Sequence, residues 1–66
     1  MSVAKTIILS AQSDTGFEDA IRQGVAKANE TLRGIEGAWV KDQNVIIKDG
    51  QIVAYRVHLE VTFVLE

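Results

Sequence analysis

Cysteine is absent from these 66 residues and histidine occurs once. Those two facts exclude disulfide staples and the common structural zinc patterns. With the missing thiol goes one class of nucleophile. There is also no Gly-rich phosphate loop and no nucleophile–base–acid set, so the chain is expected not to be an enzyme. The 7 Lys and Arg residues are scattered within a net charge of −2. That leaves no electrostatic footprint for nucleic acid or an anionic membrane. Apolar runs such as Ile7 to Leu9 and Val45 to Ile47 fall far short of the ~20 residues of a membrane span, and no signal-peptide h-region opens the chain. A cytoplasmic location is the simplest expectation. Disorder is excluded by a 47% apolar content without low-complexity tracts. A single domain of this size rarely yields more than roughly 3–5 kcal/mol from its own core. With disulfides and zinc removed, self-association is the remaining support.

What the chain does have is alternation. Val53, Tyr55, Val57, Leu59, Val61, Phe63 and Leu65 place an apolar side chain at every second position, the pattern of one strand with one buried face. At about 3.3 Å per residue this strand measures roughly 43 Å. Its other face carries Ala54, Arg56, His58, Glu60, Thr62 and Val64. Ala4 to Ser10 reads as a first strand, followed by a polar segment from Ser10 to Gly16. Thr15-Gly16-Phe17-Glu18 has the form of a capping box and predicts a helix beginning after Thr15. Phe17, Ala20, Ile21, Gly24, Val25, Ala28 and Leu32 form its apolar stripe, and Gly34 is expected to cap it after Arg33. The small residues of the stripe predict a close approach to a sheet. Such a helix spans only about 26 Å, so the long strand must overhang it. Gly37 to Lys48 reads as another strand, irregular near Gln43-Asn44, and Lys48-Asp49-Gly50-Gln51 as a tight hairpin turn. A right-handed crossover through the helix gives the strand order 1-3-2. The expected architecture is α+β: a βαββ unit over residues 1–66, with a three-stranded antiparallel sheet around one helix.

These residues resemble a known family. Thr31-Leu32-Arg33-Gly34-Ile35, Asp42-Gln43, the Asp49-Gly50 turn with Ile52, and the run Tyr55-Arg56-Val57-His58-Leu59-Glu60-Val61-Thr62-Phe63 are similar to the dodecins. The resemblance implies a βαββ fold whose sheet wraps its helix, assembly into a hollow homododecamer, and binding of flavins of the riboflavin or FMN type. It also implies site positions. The tryptophan that stacks on the flavin ring in a typical dodecin falls on Gly37, and the glutamine that bonds its pyrimidine edge falls on Arg56. Asp42 and Gln43 match the family, and the Ser10–Gly16 segment is one residue longer than usual. A guanidinium only donates hydrogen bonds, so Arg56 offers nothing to the flavin N3–H. Trp39 lies two residues beyond Gly37 on the same face, roughly 6.6 Å along the strand. It is either a displaced stacking platform or an anchor for a subunit contact.

His58 and Glu60 share a face with Arg56. An i, i+2 pair of this kind can hold a metal or move a proton, but more often it is a polar stripe facing water, an inner cavity or a symmetry axis. Three readings of function follow: a dodecin-like flavin-storing oligomer with an altered site, a shell of the same kind that binds another small ligand or ion, or a purely structural oligomer.

Overall fold

The computed structural model describes residues 3–65. The alternating C-terminal stretch forms strand β3 (Gln51–Leu65), hydrogen-bonded on both sides. Strand β1 (Val3–Ser13) and strand β2 (Ile35–Lys48) flank it antiparallel, in the order β1-β3-β2, and helix α1 (Phe17–Asn29) connects them. Val57, Leu59 and Val61 are fully buried beneath the helix with Ala20, and Ile7, Leu9, Ala11, Phe17, Ile21, Val25 and Ile35 pack around them. Phe63 is buried on the same face. Each such large side chain contributes about 1.5–3 kcal/mol relative to an exposed position. The Tyr55 and Phe17 rings close one end of this core edge to face, their centroids 5.1 Å apart.

The helix sits close to the sheet because of one residue. A Cβ on Gly24 would lie 3.0 Å from the Ala11 Cβ and 3.0 Å from a Leu59 methyl, so the small stripe works as the sequence predicts. The hairpin turn also forms as expected. Asp49 and Gly50 have φ values of 52° and 75°, the left-handed pair of a two-residue type I′ turn.

Four expectations are corrected. Strand β1 runs on to Ser13 instead of stopping at Ser10, because β3 is long enough to pair Ala11, Gln12 and Ser13 with Val57, Arg56 and Tyr55. Ser13 drawn into the sheet then changes the helix start: its hydroxyl donates to Asp19 at 2.6 Å and accepts the Thr15 amide at 2.9 Å. The capping box does not form. Gly16 is the N-cap without a side-chain bond, the Thr15 hydroxyl donates to Asp14, and Glu18 pairs with Arg22. The helix ends at Asn29, not Arg33, where the Thr31 and Leu32 amides both turn back to the Ala28 carbonyl. Gly34 is left-handed at φ 74° but serves the sheet, since its carbonyl accepts from the Val64 amide and a Cβ there would press on the Val64 oxygen at 3.1 Å. Finally, the irregularity of β2 is not at Gln43-Asn44. Register shifts occur between Ile35 and Gly37, between Val40 and Asp42, and at the hairpin end between Ile46 and Ile47.

The overhang is larger than the sequence suggested, since a helix of 13 residues spans about 20 Å. The molecule extends 51 Å in its longest direction. Ile47, Ile52 and Val53 on the hairpin, and Val3 and Leu65 at the far end, stand exposed. Among the described residues no helix is long and apolar enough to cross a membrane.

Candidate functional site

The helix covers one face of the sheet and leaves the other open. Directly opposed residues of antiparallel strands share a face, so the register defines rows across the open side. Thr6, Thr62 and Gly37 form one row, Ile8, Glu60 and Trp39 the next, then Ser10, His58 and Asp42, and last Gln12, Arg56 and Asn44. Arg56, His58, Glu60 and Thr62, the polar residues singled out in β3, all lie here.

The extra residue at Lys41 decides which part of β2 joins them. A bulge places two residues against one on the partner strand and resets the alternation beyond it. Val40 opposes Leu59 and Asp42 opposes His58, so Asp42 shares the open face with Trp39 although the two lie three positions apart. The same shift sets Gln43 opposite Val57. Gln43 therefore belongs to the helix side of the sheet, apart from the other four candidates.

Side-chain contacts tie the rows together. His58 Nδ1 lies 2.5 Å from Asp42 Oδ1, and Lys41 Nζ lies 3.5 Å from Glu60 Oε2. Arg56 Nε and Nη2 both donate to Gln12 Oε1, at 3.3 and 3.0 Å. Ser10 stands in the row of His58 and Asp42, but no side-chain bond joins it to the imidazole. His58 and Glu60 thus each have a partner on β2. Among the described residues no group of three or more His, Asp or Glu side chains is arranged to hold a metal ion.

Trp39 is 73% exposed. A shallow cleft beside it is lined by Gly37, Ala38, Val40 and Thr62, and its other flank meets Lys41 and Glu60. A Cβ at Gly37 would touch nothing within 4 Å, so the indole borders open space on the β2 edge. Trp39 and Gly37 come together as the sequence implied. Arg56 does not join them: four residues of β3 separate it from the row of Trp39, roughly 13 Å.

Gln12, Asn44 and Lys41 are the residues of this face that sequence reasoning missed. Gln12 was hidden because Ser10 to Gly16 reads as loop, and Asn44 because the bulge at Lys41 has no local marker. The signal that recovers Gln12 is the length of β3 itself, which demands a partner strand as far as Tyr55.

Comparison with known proteins places this geometry. The family model described as Dodecin matches residues 3–66. The chain is 38% identical over 64 residues to the dodecin of Thermus thermophilus, covering 97% of this chain and 93% of that protein. It is 33% identical over 63 residues to calcium dodecin of Mycobacterium tuberculosis, covering 96% and 89%. Among solved structures, a variant of the Thermus thermophilus dodecin superposes with a TM-score of 0.94 at 36% identity, covering 100% of this chain and 98% of that one. Calcium dodecin of Mycobacterium tuberculosis, described as calcium chelating with a novel calcium-binding site, superposes at 0.85 with 33% identity, covering 98% and 93%.

Proposed function

The chain belongs to the dodecin family, and on that premise we propose that it is a non-enzymatic, self-assembled shell that holds a flavin-type ligand by stacking on Trp39. The observation that carries this reading is the indole itself, 73% exposed on the open face of the sheet beside an unfilled space at Gly37. A large amphipathic ring left in water on an uncovered sheet offers stacking area to a planar ligand at little conformational cost. Assembly is supported by the exposed Ile47, Ile52 and Val53 of the overhanging hairpin, which a subunit of this size gains by covering. Twelve identical subunits is the number that the family implies.

The site is altered relative to the family pattern, with Gly37 in place of the stacking tryptophan and Arg56 in place of the edge-binding amide. Affinity for a neutral flavin is therefore expected to be low for this fold. A cation-binding shell, the alternative suggested by the name of the Mycobacterium tuberculosis relative, receives less support from these residues. Asp42 and Glu60 on the open face are already engaged by His58 and Lys41. An absorption spectrum of the purified oligomer, followed by riboflavin addition with fluorescence detection, tests the reading. Flavin absorption or saturable quenching is expected. A colourless protein that leaves riboflavin fluorescence unchanged overturns it.

A further inference from the structure

Arg56 differs from the other cations of this chain. Arg22, Lys27 and Lys41 each have a carboxylate partner, on Glu18, Glu30 and Glu60. Lys5, Arg33 and Lys48 have none among the described residues but are exposed, where water solvates them. Arg56 is half-buried in the sheet face, and its described partner is the neutral Gln12 oxygen. Two of its donors are spent on that oxygen, which fixes the plane of the guanidinium without neutralising it. The remaining N–H groups have no partner among the described residues. Because the Gln12 oxygen is engaged, its amide nitrogen is left as a donor too. Asn44 completes the row on the other side. The row is thus rich in donors, positively charged and oriented before any ligand arrives.

We infer that the Gln12–Arg56–Asn44 row is an anion subsite that takes the carboxylate of a small planar acid, with Arg56 as the specificity-determining residue. A planar guanidinium matches two acceptors side by side, and a carboxylate presents them. A neutral ring imide presents a donor between its two carbonyls and leaves one N–H contact repulsive. Gln12 acts as the positioning residue that holds the guanidinium flat. This inference deepens the proposed ligand reading by naming the class of ligand, and it rests on the assembled protein being a small-molecule binder.

The test compares two fluorescent probes that differ only in the anion, 7-hydroxycoumarin and 7-hydroxycoumarin-3-carboxylate, titrated into the intact oligomer with its mass followed by light scattering. The carboxylate is expected to bind at least about tenfold more tightly, the worth of a charge-assisted pair. Arg56→Gln should abolish that preference with the oligomer intact, and Gln12→Ala should reduce it. Equal binding of the two probes by the parent overturns the inference, even where riboflavin binds and the flavin reading survives. Dissociation of the oligomer by Arg56→Gln also overturns it, because the acceptor would then be a carboxylate of a second copy. A carboxylate preference in a protein that ignores riboflavin supports the subsite while removing the flavin.

Discussion

Adding one methyl at Gly24 should destabilise this protein, although glycine is the worst ordinary helix former. At an exposed helical site Gly→Ala gains about 0.8–1 kcal/mol. At Gly24 the new Cβ would lie 3.0 Å from the Ala11 Cβ, 3.0 Å from a Leu59 methyl and 3.3 Å from a Leu9 methyl. The Leu59 methyl can turn aside only into filled space, since Leu59 is fully buried, and the Ala11 Cβ cannot turn at all. Relief requires α1 to move off β1. Overpacking of this kind costs typically 1–3 kcal/mol, and with three contacts shorter than normal the upper part of that range applies. The net loss is about 1–2 kcal/mol, or roughly 4–16 °C in Tm for a domain of this size. Thermal unfolding at one fixed protomer concentration is the assay, because assembly makes Tm concentration-dependent. Ala26→Gly, on the exposed side of α1, supplies the propensity scale and should lose about 1 kcal/mol. In a cycle with Ala11→Gly, the two changes should couple favourably by more than about 0.5 kcal/mol. A Gly24→Ala protein stabilised by about 1 kcal/mol, with no coupling to Ala11, would refute the reasoning.

The other expectations follow from the same geometry. Leu59→Ala, at the centre of the core, should cost about 2–5 kcal/mol in denaturant unfolding; a cost under 1 kcal/mol would mean that the helix covers the opposite face. Gly50→Ala, at φ 75°, should cost about 1–2 kcal/mol by forcing a side chain into the left-handed region, while Lys48→Ala beside it stays near neutral. The exposed His58–Asp42 pair should contribute no more than about 1 kcal/mol in a double-mutant cycle, and a larger coupling would show that it is covered in the assembly. Gly37→Trp combined with Arg56→Gln should raise riboflavin affinity with the oligomer intact, since nothing stands within 4 Å of a Cβ at Gly37; unchanged affinity would mean that neither position borders the ligand.

Much of the fold was legible because β3 declares its faces residue by residue from Tyr55 to Phe63, although Val53 and Leu65 stand exposed and Ala54 is buried, and because the Asp49-Gly50 turn fixes its pairing with β2. A count back from that turn also puts Trp39 opposite Glu60 on the open face, but for a partly fortuitous reason. The irregularity near the hairpin and the bulge at Lys41 lie on opposite strands, so their shifts cancel by the time Trp39 meets Glu60. Between them the count is off by one. Simple alternation puts Gln43 beside Arg56 and Asp42 on the helix side, and the structure has the reverse. Nothing in Val40-Lys41-Asp42 marks a bulge, because the extra residue is an ordinary exposed lysine. The helix boundaries failed for a different reason. Thr15 and Glu18 have the form of a cap, but the ladder of β3 competes for Ser13 and closes the turn through Asp19 instead. Long-range pairing of this kind overrides a local motif, and it also brought Gln12 opposite Arg56, which the Ser10–Gly16 stretch gave no reason to expect.

Ligand binding by this protein depends first on Trp39 as a stacking surface. Riboflavin fluorescence should be titrated against the purified oligomer and its Trp39→Ala counterpart, with light scattering confirming equal mass for both. The parent is expected to quench riboflavin saturably, and Trp39→Ala to bind at least about fivefold more weakly, the scale of an aromatic pair beyond its buried area. Equal affinity in two intact oligomers would contradict the claim and leave Trp39 as a contact residue between subunits.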